Sequence, residues 1–159
     1  MRRLDMHAQP NFEARAKELG FDFHTQDGQP YWDESACYAF TLAEIERDLE
    51  APTGELAALC LELVDRVVGD EQALRLLQIP EHAWDAIRAS WQRRDPSLYG
   101  RFDFSYDGKG PAKLLEYNAD TPTALIEAAV AQWNWLQQVK PGRDQFNSLH
   151  EKLIDRWRD

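Results

Sequence analysis

Read from the amino terminus, apolar positions first recur with helical spacing at Phe12, Ala16 and Leu19. The pattern predicts a short helix over 11–19, with Gly20 where a C-terminal cap is expected. Phe21 to His24 and Pro30 to Trp32 flank Asp27-Gly28, the chemistry of a tight hairpin turn. Thr41-Leu42-Ala43-Glu44 reads as a capping box, in which the Thr oxygen takes one orphan amide and the Glu reaches back to another. Pro52-Thr53-Gly54 reads as an interruption of the helix that this box opens. A further helix is expected over 55–68, with Leu56, Leu59, Leu63 and Val67 on one apolar stripe that stops at Gly69. Two more are expected over 71–78 and 80–94, the second with Pro80 in its first turn.

The period then changes. Positions 99–106 alternate, 107–111 form a turn, and 112–118 alternate again, which makes this the clearest hairpin in the chain. A helix over 122–139 follows, apolar around most of its circumference, with Pro122 at its first position and Thr121 as its N-cap. Pro141-Gly142 breaks it, and a last helix over 143–159 carries Phe146, Leu149, Leu153 and Trp157 on one stripe. The expectation is a helix-rich α+β fold, an antiparallel hairpin sheet packed by helices, as a single domain over 1–159.

Composition agrees with one compact domain: 159 residues, 43% hydrophobic, with six Trp and seven Phe to build a core. Charge narrows the partners. Eighteen Lys and Arg against 28 Asp and Glu leave a formal charge of −10, which argues against nucleic acid and anionic membrane as partners. Cys37 and Cys60 both have apolar neighbours and read as reduced, buried thiols. No apolar stretch at the amino terminus has the length of a signal peptide, so a cytoplasmic location is expected.

The candidate chemistry lies in the alternating hairpin. Alternation puts Arg101, Asp103 and Ser105 on one face of its first strand, and Leu114, Glu116 and Asn118 on one face of its second. Pairing Asp103 with Glu116, and Arg101 with Asn118, gathers the polar groups and leaves 108–111 as the loop. A one-residue slip sets Asp103 against Leu115 and scatters them, so the first register is preferred. Two carboxylates and an amide oxygen are hard oxygen ligands suited to Mg²⁺, and Arg101 beside them could hold a transferring phosphoryl group. An exposed hairpin with a cross-strand Arg–carboxylate pair fits the same spacing, and spacing alone leaves both open. The free amides and hydroxyls of Thr121 and Thr123 at the mouth of the next helix would suit a carboxylate or phosphate.

Tyr-Gly-Arg-Phe-Asp-Phe at 99–104, Leu-Leu-Glu-Tyr-Asn-Ala-Asp-Thr-Pro-Thr at 114–123 and Pro-Tyr-Trp-Asp-Glu-Ser-Ala at 30–36 resemble the glutathionylspermidine synthase family. Asp-Gln-Phe-Asn-Ser-Leu-His-Glu-Lys-Leu at 144–153 extends the likeness to nearly the whole chain. The resemblance implies a circularly permuted ATP-grasp ligase that joins a carboxylate to an amine with ATP, through an acyl phosphate. It also implies Asp103, Glu116 and Asn118 as Mg²⁺ ligands and Arg101 on the phosphoryl group and nucleotide. Asp120, Thr121 and Thr123 would hold a glutathione-like or peptide-like acid, and the amine would be polyamine-like. Ala124 stands where a characterised glutathionylspermidine synthase has Cys in this stretch, which turns the expected acid away from glutathione itself.

Family members are much longer, and in their order the lysines and lid that hold ATP follow this segment. The chain is therefore expected to be an amino-terminal part of such a ligase, with little activity alone. A non-catalytic interaction module is the alternative. A metal-dependent nuclease core, Asp then Glu-x-Lys, is disfavoured because position 118 is Asn and the chain is acidic.

Overall fold

The structure, a computed structural model, describes residues 1–158. In chain order, β1 (Arg2–Asp5) leads to α1 (Phe12–Glu18), the short pair β2 (Thr25–Gln26) and β3 (Gln29–Pro30), and β4 (Ala36–Ala39). Then come α2 (Leu42–Glu44), a π-helical stretch Ile45–Glu50, α3 (Ala51–Val68), α4 (Glu71–Leu76), a 3₁₀ turn Glu81–Ala83 and α5 (Trp84–Arg93). The hairpin β5 (Arg101–Ser105) and β6 (Lys113–Asn118) precedes a second π-helical stretch Glu127–Ala131, α6 (Gln132–Val139) and α7 (Leu149–Arg158). The fold is α+β and helix-rich, with three separate two-stranded antiparallel ladders among the described residues, β1–β4, β2–β3 and β5–β6.

Local chemistry explains most of these elements. Asp27 and Gly28 both have positive φ, as a two-residue hairpin turn of the mirror-image type demands, although the strands it joins are shorter than the flanking aromatic runs suggested. The capping box forms as expected, Thr41 accepting from the Glu44 amide and the Glu44 carboxylate accepting from Thr41 N.

Pro52 does not interrupt its helix. The chain runs helically through Pro52 because the π-helical stretch precedes it. An α-helix would return the amide of position 52 to the carbonyl of Asp48, and proline has none to give. That carbonyl instead accepts the amide of Ala112, 2.8 Å away at the end of the β5–β6 loop. The Thr53 hydroxyl meanwhile donates to Leu49 O.

One core cluster joins Ala16 of α1, Phe21 and Ala131, with Phe12, Trp32 and Ile126 against it. Val68, Leu74 and Trp84 are buried where α3, α4 and α5 meet. The expected stripe on α3 is not buried, however: Leu59 and Leu63 are 53% and 60% exposed. Because α4 and α5 fold back over the carboxyl-terminal end of α3, they leave the middle of it open. Cys37 and Cys60 are free and half-buried rather than buried. Among the described residues, no helix is long and apolar enough to cross a membrane.

Candidate functional site

The β5–β6 ladder pairs Arg101 with Asn118, Phe102 with Tyr117 and Asp103 with Glu116, the register that gathers the polar groups. It then shifts, so that Phe104 pairs with Leu114 and Ser105 with Lys113. Leu115 is the extra residue of a β-bulge, and the loop runs over 106–112 rather than 108–111. Leu114 therefore faces Phe104 and does not share the face of Glu116 and Asn118. The opposite face is aromatic: Phe102 stacks on Tyr117 at 4.1 Å and on Phe104 at 5.9 Å. Gly100 lets Tyr117 lie down there, since a Cβ at position 100 would meet the Tyr117 ring at 2.8 Å and Asn118 O at 3.3 Å.

Two clamps hold the hairpin. At its far end the Tyr106 hydroxyl donates to the Asp48 carboxylate at 2.8 Å, beside the main-chain bond from Ala112. Asp48 is fully buried and also accepts from Arg47 Nε and Nη2. The Arg47 bonds, then the Tyr106 bond, hold its carboxyl at a pKa of about 2, and the amino-terminal ammonium adds a little in the same direction. At the near end Arg101 donates from Nε and Nη2 to the two oxygens of Asp103, at 2.7 and 3.1 Å, and from Nη1 to Thr123 O and Oγ1. The Asp103 bonds, followed by the charges of Asp103 and Glu116, push the Arg101 guanidinium up. The ion pair thus runs along one strand, whereas a cross-strand pair was one expectation.

The segment after β6 departs from the sequence reading. Helix does not start at Pro122 but at Leu125, so Thr121 is not its N-cap. Tyr99 Oη binds Pro122 O, Arg101 binds Thr123 O, and Ala124 has φ +72°. These bonds hold 122–124 as a strap across the start of β5, and Ala124 turns it into the helix. Asn118 Oδ1 accepts from the Asp120 amide at 3.3 Å, while Asp120, Thr121 and Thr123 are exposed. The last helix likewise begins at Leu149 and not at 143. Gln145 and Asn147 are drawn off as partners of Gln132 and Ala128 O.

Sequence reasoning missed two site residues. Glu127 is buried on the second π-helical stretch and accepts the Tyr31 hydroxyl at 2.8 Å. That bond, then desolvation, pushes the Tyr31 phenol up, and Arg101 acts weakly against it. A lone acid in an otherwise apolar helix was the available signal. Among the described residues, no three His, Cys, Asp or Glu side chains gather as a metal cluster. The Asp103 and Glu116 carboxylates and the Asn118 amide are hard oxygen donors of the kind Mg²⁺ takes, with both Asp103 oxygens accepting from Arg101 and Asn118 Oδ1 from the Asp120 amide.

The family model described as glutathionylspermidine synthase preATP-grasp matches residues 3–159. The chain belongs to that family. A Haemophilus influenzae protein provisionally named as an acid–amine ligase is 43% identical over 152 residues, covering 91% of this chain and 37% of the relative. The bifunctional glutathionylspermidine synthetase/amidase of Escherichia coli is 36% identical over 124 residues, covering 75% of this chain and 20% of the enzyme. Trypanothione synthetase of Crithidia fasciculata is 36% identical over 80 residues, covering 50% of this chain and 12% of the enzyme. The first of these relatives is named a ligase, the second a synthetase/amidase and the third a synthetase, and the chain spans well under half the length of each.

Proposed function

We propose that this chain is the amino-terminal portion, folded as one domain, of an ATP- and Mg²⁺-dependent carboxylate–amine ligase. The ligase would form an amide through an acyl phosphate on a permuted ATP-grasp fold. The observation that carries the reading is the Asp103–Glu116 pair, flanked by Arg101 and Asn118 and abutting the Thr123 strap. Asp103, Glu116 and Asn118 would hold Mg²⁺, which when bound would neutralise and orient phosphate oxygens. Arg101 stabilises the phosphoryl group in transfer and contacts the nucleotide. Asp120, Thr121 and Thr123 bind the acid, which is glutathione-like or peptide-like, and the amine is polyamine-like.

The test is ADP release with glutathione or a dipeptide as acid and spermidine as amine. A longer form carrying the remaining family sequence is expected to turn over and to lose activity by at least about a hundredfold in Asp103→Asn. The 159-residue chain alone is expected to show little. Turnover that survives Asp103→Asn would overturn the assignment of the site. ADP release by the 159-residue chain itself would overturn its reading as an incomplete part.

The open face of α3, with Leu59 and Leu63 exposed, favours a second reading, that this domain serves assembly. Under it, Leu59→Glu and Leu63→Glu would abolish association with another polypeptide and leave Mg²⁺ binding untouched.

A further inference from the structure

Glu127 follows the Thr123 strap, past the turn at Ala124, and is only 7% exposed. Its Oε1 accepts the hydrogen bond that the Tyr31 hydroxyl donates, and its Oε2 is buried without a partner. A buried carboxylate that is half satisfied is costly, so a structure that keeps one invites a reason. Tyr31 itself is 46% exposed, and its bond to Glu127 ties it to the helix that follows the Thr123 strap held by Arg101. Because its only proton is committed to Glu127, the phenolic oxygen has lone pairs alone to offer. Phe23, also 44% exposed, stands 5.7 Å from the Tyr31 ring and extends the same wall. Two unlike groups are thus joined through one short segment. Arg101 and Thr123 supply donors at the strap, and the helix after it carries the carboxylate that backs an acceptor with an aromatic flank.

We propose that Tyr31, oriented by Glu127, is a binding residue for a primary ammonium group on a substrate of this site. The ammonium donates to the Tyr31 oxygen, feels the Glu127 charge behind it and rests against the aromatic flank. Glu127 acts through Tyr31 and is the positioning residue. The inference rests on the ligase reading only in supplying two sources for that group, the amine substrate or an amino group carried by the acid.

The experiment is a titration of the ¹⁵N-labelled 159-residue chain at constant ionic strength, followed by NMR. The probes are 1,3-diaminopropane, 4-aminobutyrate and, as controls without an ammonium, 1,3-propanediol and butyrate. Saturable shifts at Tyr31, Phe23 and 123–128 are expected with an ammonium probe and not with the controls. Tyr31→Phe and Glu127→Gln should each weaken that binding about tenfold or more. Stronger binding of 1,3-diaminopropane assigns the seat to the amine, and stronger binding of 4-aminobutyrate assigns it to the acid. Tyr31→Phe alters an exposed ring by one atom, so it decides the matter if Glu127→Gln fails to fold. Equal binding by wild type and Tyr31→Phe, shifts confined to another region, or no saturable response overturns the proposal. Mg²⁺ binding lost in Asp103→Asn is read separately and tests the ligase reading alone.

Discussion

Arg101 grips both carboxylate oxygens of Asp103, two residues along the same strand, and reaches the Thr123 strap with its remaining arm. A divalent cation seated between Asp103 and Glu116 would therefore have a fixed positive charge as its neighbour. Arg101→Ala should tighten Mg²⁺ binding measured without nucleotide, by about fivefold for a partly screened pair. Asp103→Asn should weaken it by at least about tenfold. With ATP present the Arg101 effect should reverse, because the guanidinium then faces phosphate. Isothermal titration with and without nucleotide checks the sign change, and an unchanged sign would remove Arg101 from the phosphate side.

Acid should unfasten the far end of the hairpin. The folded state holds Asp48 at a pKa of about 2, below its ordinary 3.8, so the unfolded chain binds the proton more readily. The stability that Asp48 contributes is fully present above about pH 4 and is lost as pH falls toward 2. Urea midpoints from pH 6 to pH 2 should drop most steeply in that last interval, and Asp48→Asn should flatten the drop. Asp33 and Asp95, also held low by their hydrogen-bond partners, would contribute the slope that remains.

Pro52 can be tested through a residue it does not touch. Pro52→Ala restores an amide that can bond to Asp48 O and compete with Ala112. Hydrogen exchange at the Ala112 amide should then accelerate about tenfold, while the helix stays formed or gains order. Unchanged exchange would mean that the freed carbonyl is not what holds the loop.

Gly100 carries a steric prediction. Gly100→Ala forces the Tyr117 ring away and presses on the Asn118 carbonyl, at a cost of about 1–3 kcal/mol for overpacking. Tyr117 should lose its stacking on Phe102, visible in near-ultraviolet circular dichroism. Mg²⁺ affinity should fall with it, since Asn118 is displaced.

How far the sequence disclosed this arrangement varied with the range of the interactions involved. The near-end register of β5 and β6 was legible because a slip would have sent every polar group to the aromatic face. The bulge was not, because Leu114 and Leu115 are both apolar and nothing marks one as the extra residue. The capping box at Thr41 was local and was read correctly. Pro52 and Pro122 were read by their local habits, as a breaker and a helix starter. Both are governed instead by distant partners: Ala112 bonds to the carbonyl freed one turn before Pro52, and Tyr99 and Arg101 take the carbonyls of Pro122 and Thr123. Glu127 and Tyr31 lie far apart in sequence, so only folding brings the buried acid to its phenol.

The bulge at Leu115 divides the hairpin into two stretches with separate accounts of insertion and loss. Residues gained or lost in the 106–112 loop shift only the Phe104–Leu114 and Ser105–Lys113 rungs, which the Asp48 clamp must then re-form. The Asp103–Glu116 rung lies beyond the bulge and keeps its own phase. Removal of Leu115 itself would couple the two stretches, and drift in the loop could then reach the charged face. The extra leucine is a mechanical fuse between the loop and the polar rungs.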